Sequence, residues 1–228
     1  MKIVVRLGID WIDVAVSDNN FGLNERVRPA YLAAYSVLNQ THLERTAICQ
    51  QQLHEATSEE EHADARSELT DEDYRWAEQT QALATMALTL IASTNKSFLD
   101  QMKRLFIKTH PPEPKAYPGR SQLQKQISEY KARFRVDLEK ITAFGTIREV
   151  ELARNCCVHD EGRLNTDYCE QTQQRFVGTH GYIDMTPEML TQLLAEIDQF
   201  SHGLSLEMKA LRSRDIPKPP SEEQSSGG

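Results

Sequence analysis

Cysteine is scarce in this chain, and the four present, Cys49, Cys156, Cys157 and Cys169, include an adjacent pair and no C-x-x-C spacing. That pattern gives neither a disulfide framework nor a zinc signature, so free, packed thiols are expected. Glycine and proline are also few, at 10 and 9 of 228 residues, and aromatics make up only 7%. A fold built on many turns and β-rich strands is therefore disfavoured. No apolar run approaches the roughly 20 residues that a spanning helix needs. The opening stretch, Met1 to Val16, carries Lys2, Arg6, Asp10 and Asp13 through its apolar positions, unlike a secretory leader. A cytoplasmic protein without membrane contact is expected. Gly-rich phosphate loops, a serine nucleophile elbow and paired carboxylates are missing, and His42, His54, His62, His110, His180 and His202 have no metal-ligand spacing. Neither a metal nor a cofactor is expected.

What is abundant is Gln, Ala, Glu and Leu, whose side chains lose little rotamer freedom in a helix, so the fold class expected is all-α. The formal charge of −8 argues against a wholly nucleic-acid-coated surface, but the charge is unevenly spread. Glu44 to Arg75 holds ten acidic residues against three arginines, a balance of −7, whereas Lys115 to Leu164 holds ten basic against seven acidic, a balance of +3. An anion-facing part, if the chain has one, belongs in the second half.

Along the chain, Ile3, Val5, Leu7, Ile9 and Trp11 alternate as in a short strand, and Ser17 to Gly22 reads as a turn. Pro29 opens a helix with Tyr31, Tyr35, Leu38, His42, Cys49 and Leu53 near one face. Ser58 to Glu72, polar all round, reads as a solvated helix or loop. These parts make up an N-terminal extension over residues 1–70. A central helix follows from Asp71 to about Lys108, then a stiff proline-rich linker from Pro111 to Pro118. Ser121-x-x-Gln124 can cap a helix reaching about Phe144 and stopped by Gly145, and Thr146-x-x-Glu149 resembles a second capping box. The helix it would open, roughly 147–161, ends at Gly162. A loop or small hairpin leads to Thr186-Pro187-Glu188, which starts the last helix, so residues 71–213 form the expected helical bundle. A disordered tail is expected over 214–228.

Chemistry concentrates in Glu151 to Gly162. At about 100° per residue, Ile147, Val150, Ala153, Cys157 and Val158 form one broad apolar stripe from which Arg154 projects. A guanidinium there must meet a carboxylate, another chain or a phosphate, because burying it unpaired costs several kcal/mol, on the order of what breaking a buried ion pair costs. Glu151 is the structural candidate for that partner. Asn155 and His159 share the adjoining polar face.

Arg154, four intervening residues and His159, with Asn155 directly after the arginine, resemble the motif of the HEPN superfamily, the higher eukaryotes and prokaryotes nucleotide-binding domains. These are all-helical bundles whose ribonuclease members carry an Arg and a His near the end of the third core helix. The resemblance covers residues 80 to 212. Arg104 to His110 and Arg175 to His180 also satisfy the spacing, but the first runs into Pro111 and the second is broken by Gly178. The resemblance implies a metal-independent endoribonuclease, a toxin or defence effector, with RNA as substrate. His159 would act as general acid or base, Arg154 would hold the scissile phosphate, and Asn155 would orient either group. It also implies a homodimer, with an antitoxin or other protein partner as a further expectation. Five residues separate Arg154 and His159 by about 140°, so two copies of the helix would close a site that one leaves open. The position two after the histidine, often Tyr in toxins paired with nucleotidyltransferase antitoxins, is Glu161. The alternative reading is a non-catalytic HEPN-like module that binds a protein or nucleotide.

Overall fold

A computed structural model describes residues 10–113, 116–178 and 181–215. Among these the chain is all-α, with seven α-helices and only two isolated β-bridges. Of the expected N-terminal strand, residues 1–9 lie outside the described part, and Trp11 onward is helical instead. Helix α1 (Trp11–Phe21) starts at Asp10, whose carboxylate accepts the Ile12 N–H at 3.0 Å. Arg212, near the other end of the chain, grips both Asp10 oxygens at 3.0 and 2.7 Å. That hydrogen-bonded guanidinium holds the Asp10 carboxyl below its ordinary range.

The turn expected at residues 17–22 is helix as well. Ile12, Ala15, Val16, Asn19, Leu23 and Val27 are all buried, a helical spacing that a turn would destroy. Asn19 and Asn20, the turn-prone residues, are held by side chains of the last helix, Ser201 at 2.9 Å and Asp198. A π-helical stretch, Gly22–Val27, then joins α1 to α2 (Arg28–Glu55).

Only Ala56 to Ser58 separate α2 from α3 (Glu59–Leu105), so the two form a long helical hairpin. Ser58 and Glu61 complete a capping box, which starts α3 twelve residues before the expected Asp71. The acidic stretch is not polar all round in its surroundings: Ala65 and Glu72 are buried. Glu72 takes Arg75, with Arg45 at 3.6 Å and His42 at 3.5 Å, while the His42 ring stacks on Trp76 at 4.7 Å. Residue 70 falls within this uninterrupted helix.

Ser121 caps α4 (Gln122–Glu129) with Gln124 as expected. The helix does not reach Phe144. It widens into a π turn, Tyr130–Phe134, and stops at Arg135, whose φ of 57° is left-handed. A 3-10 turn, Leu138–Lys140, and a second left-handed residue, Ala143, lead into α5 (Phe144–His159). Phe134, Val136 and Leu138 are all buried. At a spacing of two, a helix would turn successive members about 200° apart, so only a non-helical path buries all three. Gly145 accordingly lies inside α5, and Thr146 and Glu149 are buried helix residues rather than caps.

Helix α5 ends where Gly162 places it. The Gly162 N–H reaches back to the Cys156 carbonyl at 3.0 Å, and Glu161 and Gly162 both have positive φ, 53° and 81°. A Cβ on Gly162 would collide with the Gln81 side chain. Gly162→Ala is therefore expected to lower stability by about 1–2 kcal/mol, from left-handed strain plus this clash. Thermal melting checks it, and an unchanged midpoint would contradict this description of the helix end.

The connection to the last helix holds a short α6 (Thr166–Gln171) capped by Asn165 and the bridges Arg163 to Tyr182 and Val177 to Ile183. Thr186 caps α7 (Pro187–Asp215), accepting the Met189 N–H at 3.3 Å. Helix α7 is the spine of the core: Leu190, Leu193, Ile197, Phe200, Leu204 and Met208 are fully or almost fully buried. They pack with Leu88, Ile91 and Leu99 of α3 and Val150, Ala153 and Cys156 of α5.

Candidate functional site

Helix α5 is anchored by its apolar edge, Ile147, Val150, Ala153 and Cys156, all buried. The apolar stripe expected from sequence is thus shifted: Cys156 belongs to it, whereas Val158 is 48% exposed. Arg154 lies at its margin, half-buried. Its Nη1 donates to Asn155 Oδ1 at 3.0 Å, and no carboxylate lies within ion-pair distance among the described residues. The pair with Glu151 does not form. One amide oxygen is a weak match for a guanidinium with five donors in a planar fork.

His159 occupies the final residue of α5 and is exposed, without a hydrogen bond to any described residue. Asp160, next along, is engaged by Asn165 Nδ2 at 2.7 Å, which orients one neighbouring carboxylate away from free rotation. The Glu161 carbonyl accepts from Gln81 of α3. The end of α5 is thereby fastened to α3 and α6 while His159 stays open to solvent.

Arg154 also forms part of the wall of a cavity of about 180 Å³ between α3, α4 and α5. Lys96, Gln122, Gln126 and Glu151 contribute its other long polar side chains, and Asn95 is among its lining residues. His159 does not line it. The structure thus brings Arg154 and Asn155 together and leaves His159 separate on the same helix.

The cysteines are all free. Burial pushes both the Cys156 and Cys157 thiols up, the latter against opposing contributions from a Thr85 hydrogen bond and the nearby Arg154. Neither has the electropositive, thiolate-favouring setting of a reactive cysteine. Among the described residues no group of His, Cys, Asp and Glu is arranged to hold a metal ion, and no helix is long and apolar enough to cross a membrane.

The other two Arg-to-His spacings have different surroundings. Arg104 is exposed, and the His110 ring packs against Phe106 and Phe134 at 6.4 and 5.7 Å. Arg175 is tied into the core, 3.2 Å from Glu149 and 2.9 Å from Glu196, while His180 lies outside the described residues. Glu149, 3% exposed, also accepts from the Tyr168 hydroxyl at 3.2 Å and the Arg175 N–H at 2.8 Å. Thr146 donates to Glu196. Burial opposes ionisation of Glu196, but the hydrogen bonds from Thr146, Arg175 and Gln192 hold its carboxyl below the ordinary value. This network fixes the α6 connection onto α5 and α7.

Sequence reasoning missed Asn95 and Lys96. The available signal was Asn95 in register with Leu88, Ile91, Phe98 and Leu99, a polar residue on the buried face of α3. No family model matches the chain, and neither the curated proteins nor the solved structures contain a match.

Proposed function

We propose that this chain is a metal-independent endoribonuclease of HEPN type, acting with Arg154, Asn155 and His159. The observation that carries the reading is Arg154: a half-buried guanidinium whose one hydrogen-bond partner among the described residues is an amide oxygen, at the wall of a cavity shared with Lys96. A phosphate is the ligand such a fork accepts by two hydrogen bonds. Asn155 holds the guanidinium by Nη1, so its orienting role falls on Arg154 rather than on His159.

The reaction needs a proton taken from the ribose 2′-OH, attack of that oxygen on the adjacent phosphorus, and a proton given to the departing 5′ oxygen. His159, exposed and without a hydrogen-bond partner among the described residues, is available for either transfer. Arg154 stabilises the charge that builds on the phosphoryl oxygens. Use of the 2′-OH restricts the substrate to RNA. The experiment that tests the reading is incubation with RNA in the presence of chelator, set out in the Discussion.

The site is completed by a second copy. Arg154 and His159 lie about 140° apart around α5, and Val158, next to His159 on the same helix, is an exposed apolar residue. A homodimer with its α5 helices facing is expected by light scattering at micromolar concentration. A strictly monomeric, fully active species would contradict the composite site. A toxin or defence role, with an antitoxin as partner, is the setting in which such an activity needs restraint.

A further inference from the structure

Asn95 is 5% exposed, and neither its side-chain oxygen nor its side-chain nitrogen has a hydrogen-bond partner among the described residues. It sits on α3 in the wall of the cavity that also contains Arg154. An amide presents one acceptor and two donors, and leaving all of them unmatched away from water is unfavourable. A side chain placed this way suits an incoming group that offers a donor beside an acceptor.

The rest of the cavity narrows the ligand. Leu99, Leu123 and Val150 supply apolar wall, suitable for the faces of a flat ring. Lys96 and Arg154 supply two cations against the single carboxylate of Glu151, so the long polar residues favour an anion. A ring with a donor and acceptor on its edge, attached to an anionic group, is a nucleotide. Asparagine pairs in two hydrogen bonds with the N6 donor and N7 acceptor of adenine.

We propose that this cavity takes one unstacked adenine of the RNA strand, read by the Asn95 amide, with a phosphate of that strand on Arg154 and Lys96. Asn95 is then the specificity-determining residue of the proposed reaction and not a participant in its proton transfers. The inference rests on the ribonuclease reading for its substrate, but base recognition has a readout of its own.

The test uses the full chain in chelator, with binding and cleavage measured separately. In the binding arm, adenosine 5′-monophosphate, the other three nucleoside monophosphates and inorganic phosphate are titrated by calorimetry. Adenosine monophosphate is expected to bind at least tenfold more tightly than the others. Asn95→Leu keeps the branched shape and number of heavy atoms but removes both hydrogen bonds, and should abolish that preference without lowering the melting temperature. Asn95→Asp keeps an acceptor and loses the donors, and it should also erase the preference, so misfolding of one variant leaves the other decisive. In the cleavage arm, the ends of fragments from a random RNA pool are sequenced. Adenine should be enriched at one fixed position beside the cut, and lost from it in both variants.

Cleavage by the native chain with no base preference, unaltered in the Asn95 variants, would overturn the inference and leave the ribonuclease reading standing. Tight adenosine monophosphate binding with no adenine enrichment at the cut would make this a free-nucleotide site and overturn the RNA assignment. Selective binding lost in the Asn95 variants, from a chain that cleaves no RNA, would support base recognition and end the ribonuclease reading instead.

Discussion

His159→Ala is expected to abolish RNA cleavage while leaving helical content and melting temperature nearly unchanged. The side chain is exposed at the last residue of α5 and bonds to nothing described, so its removal costs little packing. Loss of a general acid or base reduces rate by about 10²–10⁴, enough to take a slow nuclease below detection. Arg154→Lys should fail as well. An ammonium keeps the charge but loses the planar fork that holds a phosphate by two hydrogen bonds and the Asn155 contact that orients it. Glu161→Ala should be tolerated, or improve RNA binding, because it removes a negative charge two residues from His159. If both His159→Ala and Arg154→Lys retain cleavage and Arg104→Ala destroys it, the site lies at the other described spacing.

Glu149→Ala should produce the largest loss of stability of any single change considered. Its carboxylate accepts from the Tyr168 hydroxyl, from the Arg175 N–H and from the Arg175 guanidinium, while Arg175 itself is only 15% exposed. Removal leaves a mostly buried cation with Glu196 alone and strips two further donors of their acceptor. Breaking a buried pair in this way costs about 3–5 kcal/mol, or roughly 10 °C in melting temperature for a chain of this size. Glu149→Gln keeps an acceptor oxygen and should cost markedly less. Equal melting temperatures for the native chain and Glu149→Ala would mean that the α6 connection is not held by this network.

These two changes separate what was legible in sequence from what was not. The all-α class, the proline-opened α2 and α7, the Ser121 capping box and the Gly162 terminus depend on local chemistry, and each can be read from a few adjacent residues. Ser17 to Gly22 is turn-forming by propensity, yet Ile12, Val16, Asn19 and Leu23 bury one helical face, and tertiary packing overrides the local preference. Between α4 and α5, the even spacing of Phe134, Val136 and Leu138 marks the end of the helix, whereas Gly145, a terminator by residue type, lies inside α5. Thr146 and Glu149 have the spacing of a capping box but spend their side chains on Glu196, Tyr168 and Arg175, partners far along the chain. Neighbour-based patterns carry no information about such partners.

The candidate site divides in the same way. Arg154, Asn155 and His159 share one helix, so their spacing and the unusual setting of the arginine could be read directly. The failure of the Glu151 pair could not be read, because i, i+3 geometry permits it and only the packing of α3 and α4 around Arg154 decides. Asn95 and Lys96 come from a helix about sixty residues earlier, so only the fold brings them to the same cavity as Arg154.

The central claim is tested most directly by incubating the purified full chain with mixed RNA in excess chelator and determining the chemistry of the new 3′ ends. Cleavage that survives chelation and leaves 2′,3′-cyclic phosphate or its hydrolysed form is the result expected if, as proposed, the 2′-OH is the nucleophile and His159 moves the protons. Cleavage that depends wholly on added divalent metal, or intact RNA after prolonged incubation with the full chain, would contradict the proposal.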